Sequence, residues 1–366
     1  MSELKTEAGL KVKAEKAKGI GFFEKLLPVW VALCMLIGIV LSQLIPEISQ
    51  TIDSWQIEGI SIPIGICLFL MMYPAMLNIQ AEELKKLGQD PKPVILTLFS
   101  NWVVAPLIGI TVALLFLGGN PQLIFAIILL SSSPCTAMVL VWGWMAKGNQ
   151  EQNVITTSLN TITIIFLYIP VVTLLVAIAN ITLEQKIPLD PVTLLISLVI
   201  FIGLPLFLGV ISKKGLISIK GERWFDNTYR PAVSKVAVGA LLMTLIILFS
   251  LNGDVLINNP DLLLLITIPL LIGFAIVVGF NVLMTRIFKL KYREAIISVI
   301  IGSSSHFEIA IAVAVAMFGV GSIAALGTTM GLFWEVPIML SLVYLGKFLN
   351  RKGFWGADIE EVKILG

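Results

Sequence analysis

Two serine runs bring together the side chains of this sequence best suited to chemistry inside an apolar setting. Ser131-Ser132-Ser133 leads into Pro134-Cys135-Thr136, and Ser303-Ser304-Ser305 leads into His306-Phe307-Glu308. A thiol is a ligand for soft cations and thiophilic metalloids. An imidazole serves as a neutral ligand or, when protonated, as a partner for anions. A carboxylate in hydrocarbon is expensive and by default marks an ion or substrate path. Ser133 reads as a helix N-cap with Pro134 at the first helical position, which places Cys135 in the first turn of a new half-helix, near its partially positive end. Ser305-x-x-Glu308 has the spacing of a capping box, in which Glu308 takes the Ser305 amide in place of water. The same carboxylate can also hold a cargo or bind and release a proton, and the two roles can coexist. His306, the chain's single histidine, reads as a proton acceptor, a second ligand or a polar residue facing a cavity.

Other polar residues extend this set. Glu335, in Trp334-Glu335-Val336-Pro337, suits either pairing with a neighbouring helix or proton movement. Asn160 and Asn101 offer neutral hydrogen-bonding groups, for helix adhesion or for a site. Lys235 is close enough to the end of its segment to snorkel. Cys34 and Cys67 read as small buried residues, and three cysteines without disulfide-like spacing exclude a secreted disulfide scaffold. There is no phosphate loop and no histidine pair for zinc. The sequence therefore points away from an enzyme and from nucleic acid, with no cofactor and no metal expected. Energy for any transport would come from an ion gradient, the membrane potential or a separate ATPase partner. A homo-oligomer is left open.

The elements that must position these residues are membrane spans. Of the 366 residues, 57% are hydrophobic and 13% charged, about half the charge of a soluble domain, and mean hydropathy is +0.98. Apolar runs of about 20 residues match the thickness of a bilayer. Ten spans are expected: Leu27–Ile45, Gly59–Ile79, Val94–Leu117, Gln122–Ala146, Asn153–Ala179, Pro191–Ser212, Pro231–Leu251, Pro260–Ile287, Arg293–Phe318 and Val320–Gly346. With a cytoplasmic N-terminus, 23 of the 25 Lys and Arg residues fall at inner segments, as the positive-inside rule requires. Because a miscounted span would invert every later loop, this division supports ten spans with both termini cytoplasmic. The first twenty residues, rich in Lys and Glu, read as a cytoplasmic tail and not as a signal peptide.

Five spans per half make the two halves opposite in polarity, an inverted repeat. Each serine run lies about 10 residues into its span, roughly 15 Å deep and so near the midplane. Such paired interruptions are how transporters build a site between repeats. The expected fold is all-α and integral to the membrane, with discontinuous helices 4 and 9 crossing at midplane. Its expected parts are a tail at 1–26, repeats at 27–179 and 180–346, and a tail at 347–366. The stretch Lys213–Arg230 reads as the longest inner loop.

The sequence resembles the arsenical-resistance-type arsenite efflux permeases of the bile acid/arsenite/riboflavin transporter superfamily. The resemblance rests on Leu70-Met-Met-Tyr-Pro74, Pro134-Cys-Thr-Ala-Met-Val-Leu-Val-Trp142 with Ala146-Lys-Gly148, Leu159-Asn160, Phe307-Glu308-Ile-Ala-Ile-Ala-Val-Ala314 and Glu335-Val-Pro-Ile-Met-Leu340. It implies a secondary active transporter in the cell membrane that exports arsenite, with antimonite as an alternative cargo, in exchange for protons. Cys135 then corresponds to the family's essential cysteine, Glu308 to its helix 9 glutamate and Asn160 to its helix 5 polar residue. The expected cargo ligands are Cys135, Glu308, His306, Ser133, Ser305 and Asn160, with Glu308 and Glu335 in proton coupling. The departures are Ser305 for asparagine, His306 for phenylalanine, Gly143 after Trp142 and Thr161 after Asn160. The alternative reading is a sodium-coupled organic anion symporter of the same superfamily.

Overall fold

A computed structural model describes residues 26–45, 47, 51, 54–57, 60–77, 91–136, 138–258 and 260–355. The expected N-terminal tail, all but its last residue, the connection at 78–90 and the C-terminal tail from 356 lie outside the described residues. The helices are α1 Leu27–Leu44, α2 Ile62–Leu77, α3 Lys92–Leu117, α4 Pro121–Ser131, α5 Met138–Met145, α6 Gln150–Thr182, α7 Pro191–Lys220, α8 Glu222–Leu251, α9 Gly253–Asn258, α10 Asp261–Ile287, α11 Tyr292–Gly302, α12 Phe307–Phe318 and α13 Ile323–Arg351. Among the described residues the only strands are a two-residue antiparallel pair, Gln56–Ile57 with Ile60–Ser61, just before α2.

The helix starts follow local chemistry. The side chains of Asn120, Asn149, Asp190 and Ser322 accept amide protons at the starts of α4, α6, α7 and α13, and Pro121 and Pro191 sit where proline fits a first turn. Among the described residues six helices, α3, α6, α7, α8, α10 and α13, are long and apolar enough to cross a membrane, and α1, α2, α4 and α12 are shorter apolar helices. Large apolar side chains such as Leu36, Leu115, Phe166, Ile181 and Phe207 are exposed, while Asn101, Asn160, Asn281 and Glu335 are buried. That inside-out distribution suits lipid outside and hydrogen-bonded polar groups within. The chain is a multi-pass membrane protein.

The structure corrects the expected stretch Lys213–Arg230. It is not a loop: α7 continues to Lys220 and α8 begins at Glu222, with only Gly221 between them at φ +82°. Lys213, Lys214 and Lys220 are charged but good helix formers, so charge marked the surface of a helix and not its end. Spans 4 and 9 are each divided, α4 from α5 and α11 from α12.

α1, α2, α7 and α8 pack on one another, and α3 to α6 with α10 to α13 form a second group around the divided helices. The two groups meet where α12 lies against α7 and α2, and where α13 touches α1 and α8. Gly38 sets the approach of α1 to α8: a Cβ there would stand 2.7 Å from the Ile246 carbonyl oxygen and 2.7 Å from Phe249 Cβ. Overpacking of this kind costs about 1–3 kcal/mol. Gly38→Leu should therefore lower the thermal unfolding temperature in detergent. Gly239→Ala, on α8 where an added Cβ meets nothing within 4 Å, should leave it level or raise it.

Candidate functional site: the meeting of two helix breaks

The break after α4 and the break after α11 lie against each other. Pro134 and Ser305 form an antiparallel bridge, and the His306 amide donates to the Ser133 carbonyl at 2.6 Å. Ser133 Oγ donates to the carbonyls of Leu129, at 2.9 Å, and Leu130, at 3.1 Å, with His306 O at 3.3 Å. Backbone that leaves helical geometry inside an apolar protein needs such partners, since each buried unsatisfied group is costly.

This pairing overturns two expectations. Cys135 is not in the first turn of a half-helix, because α5 starts only at Met138 and Pro134 is extended against Ser305. The capping box does not form either. The N-cap of α12 is His306, without a side-chain cap, and the Ser305 amide is taken by Glu335 Oε1 at 3.1 Å, while Ser305 Oγ donates to Glu335 Oε2. A carboxylate 30 residues further along the chain thus displaces the one three residues away. That leaves Glu308 to face other partners: its Oε2 lies 2.8 Å from His306 Nδ1, and His306 Nε2 lies 2.8 Å from Thr136 Oγ1.

Two asparagines support the first break. Asn160 Nδ2 donates to the Cys135 carbonyl at 3.2 Å, and Asn101 Nδ2 donates to Asn160 Oδ1 at 3.2 Å. Asn101 lies on a π-helical turn, Ser100–Val104, within α3, the kind of local widening that often accompanies a site. The second break has its own support. The Gly302 carbonyl accepts from Ser100 Oγ at 3.0 Å and from Asn281 Nδ2 at 2.9 Å, and Asn281 Nδ2 also reaches Ser303 Oγ at 3.1 Å. Indole donors strap the flanking helices, Trp102 to Thr163 at 3.1 Å and Trp334 to Thr267 at 3.0 Å.

Cys135, Ser133, Ser305, His306, Glu308 and Asn160 are thus all within one buried, hydrogen-bonded centre, each less than a tenth exposed. Ser133 and Ser305 have their hydroxyls engaged with the backbone and with Glu335, and Asn160 acts on the Cys135 main chain. Thr136, Ser100 and Asn281 belong to the same centre and were missed in the sequence. Asn281, a lone amide in the apolar run of α10, and Thr136, beside Cys135, carried the signal. A cleft between α3 and α10 reaches the breaks at Ser131 and Ser303–Ser305; Cys135, His306 and Glu308 do not line it. Among the described residues no group of three or more His, Cys, Asp or Glu is placed to hold a metal ion.

The Glu335 contact has a measurable consequence. Glu335→Ala leaves the buried Ser305 amide without its acceptor, a loss of about 1–3 kcal/mol, whereas Glu335→Gln retains a carbonyl oxygen for it. Thermal unfolding in detergent should show a clear drop for the alanine variant and a smaller one for glutamine. Equal drops would mean that the acceptor oxygen is not what matters.

Comparison with known proteins identifies the family. Residues 65–259 match the model of the Sodium Bile acid symporter family. An uncharacterized transporter of Synechocystis is 40% identical over 94% of this chain and 92% of its own length. Arsenical-resistance protein Acr3 of Alkaliphilus metalliredigens is 35% identical, covering 94% of this chain and 97% of the relative. The Acr3 protein of Corynebacterium glutamicum is 29% identical over 93% and 92%. The chain belongs to the sodium bile acid symporter family of transporters, among its Acr3-type arsenical-resistance members.

Proposed function

We propose that this protein is a secondary active transporter that exports arsenite across the cell membrane in exchange for protons, with antimonite as an alternative cargo. The observation that carries the reading is the contact between the two breaks, which draws Cys135 from one half of the chain and Glu308 from the other into one buried centre. Likeness to two arsenical-resistance proteins supports the cargo. The ten-span reading, with two inverted five-span repeats, crossing helices 4 and 9 and both termini cytoplasmic, supplies the frame. Opposite helix polarity lets equivalent breaks approach from both faces of the bilayer.

In this mechanism neutral arsenous acid reaches Cys135 from the cytoplasm. The Cys135 sulfur, a soft ligand for a thiophilic metalloid, replaces one arsenous hydroxyl, which leaves with the thiol proton as water, and the Glu308 carboxylate, beside His306, accepts from the remaining hydroxyls. Asn160 fixes the main chain of Cys135. Ser133 and Ser305 hold the two breaks together and so shape the pocket. Proton arrival at Glu308 from outside removes the negative charge that anchors the cargo hydroxyls and favours release. Glu335, hydrogen-bonded to Ser305, gives proton occupancy a second point of influence on the break. Movement of the α1, α2, α7 and α8 group against the other helices alternates access.

Arsenite uptake into everted membrane vesicles tests the reading. Cys135→Ala should cut uptake by more than about tenfold, a change of ~1.4 kcal/mol in the effective barrier, and Glu308→Gln should abolish its response to an imposed pH gradient. Full uptake by Cys135→Ala would remove the soft-ligand step. Sodium-dependent carboxylate uptake indifferent to Cys135 would replace the exporter with an organic anion symporter.

A further inference from the structure

We propose that His306 is a positioning residue that holds the Glu308 carboxylate across the break through a carboxylate–imidazole–hydroxyl chain ending on Thr136. The inference rests on the reading that Glu308 serves the cargo, and it adds the residue that sets where that carboxylate stands.

The chain has three members from two segments. Glu308 Oε2 is 2.8 Å from His306 Nδ1, and His306 Nε2 is 2.8 Å from Thr136 Oγ1. All three residues are buried. The Nδ1–Oε2 approach is bent away from the ideal hydrogen-bond direction, so it acts as an electrostatic contact that limits where the carboxylate can turn. The histidine main chain is pinned as well: its amide donates to Ser133 O at 2.6 Å, and its carbonyl accepts from Ala310 N at 3.3 Å and faces Ser133 Oγ at 3.3 Å. A ring anchored at this junction has little freedom to leave either neighbour.

The chemistry selects one tautomer. A neutral imidazole has one donor and one acceptor, and an ionised carboxylate only accepts. With that pair of states, the proton sits on Nδ1, facing Glu308, which leaves Nε2 to accept from the Thr136 hydroxyl. The other tautomer would set the Nδ1 lone pair against the carboxylate oxygen. Two further ionisable groups share the surroundings. Glu335, on α13, is near enough to act electrostatically on Glu308, and like charges repel; Cys135 precedes Thr136 on the opposing break. By drawing Glu308 towards Thr136, the imidazole keeps the acid beside the segment that carries the thiol.

Because the chain has one histidine, selective 15N-histidine labelling of the purified full-length protein gives an imidazole spectrum that reports on this residue alone. The expected wild-type signature is a protonated Nδ1 and a hydrogen-bonded, unprotonated Nε2. Glu308→Gln should shift the Nδ1 resonance, and Thr136→Val the Nε2 resonance. An Nε2–H tautomer in the wild type, or resonances unmoved in both variants, would overturn the proposal. Arsenite binding supplies the second readout. His306→Phe should weaken it by about tenfold, the scale of one charge-assisted contact. His306→Asn, which keeps a donor at the Nδ1 position, should recover most of the loss, and His306→Gln, whose donor reaches the Nε2 position, should not. Equal recovery by both amides, or unaltered binding in the phenylalanine variant, would reject a positioning role. If the wild type bound no arsenite, the transport reading would fail while the spectrum would still decide the placement of the proton.

Discussion

Between α4 and α5, and again between α11 and α12, the main chain gives up its helical hydrogen bonds in the interior of a protein whose outer faces are apolar. In such a setting each amide and carbonyl released from the helix needs a new partner. The bridge between Pro134 and Ser305 and the bond from His306 to Ser133 meet that demand by pairing one break with the other. Neither break is stable in this form without its counterpart. The same pairing is what brings a thiol and a carboxylate from distant parts of the sequence to one place, so the solution to a backbone problem is also the means of assembling a site.

The helices around the breaks extend this logic. Asn160 and Asn101 satisfy the Cys135 carbonyl in series, Ser100 and Asn281 satisfy Gly302, and Glu335 satisfies Ser305. Ser100 and Asn101 are adjacent on the π-helical turn of α3, yet they serve different breaks. That turn therefore links the two supports: a shift of α3 acts on both breaks together. Buried polar networks of this kind are costly when only partly satisfied, which favours a few discrete arrangements over a continuum of loosened ones.

The positions of the breaks were legible in the sequence because serine runs, a proline and ionisable side chains inside apolar stretches have no other economical explanation. Their internal geometry was not. Local rules assigned Glu308 to the Ser305 amide and Cys135 to a helical turn, since they consider only neighbours along the chain. In the folded protein Glu335 reaches Ser305 from 30 residues away, and the segment 134–136 has a partner 171 positions along the sequence in Ser305. The helices were largely evident from apolar length. The exception is 213–230, where lysines and arginines interrupt the apolar run while the helix itself continues to Lys220. Gly221, with its positive φ, was the local sign of where the chain turns.

The displaced capping role has a further implication for how Glu308 can work. A carboxylate tied to the Ser305 amide would have been part of the scaffold, and moving it would have disturbed the break. With Glu335 in that role, Glu308 meets the His306 side chain. The proposed role of Glu308 therefore does not require the Pro134–Ser305 bridge to break. The two glutamates thus differ in place: Glu335 holds the unwound segment, and Glu308 meets the His306 side chain. Their separation by helix, Glu335 on α13 and Glu308 on α12, also means that a displacement of α13 alters the scaffold without directly moving the responsive group. A site that must bind, release and reset needs this independence, because a carboxylate cannot both hold its surroundings rigid and exchange its ligand.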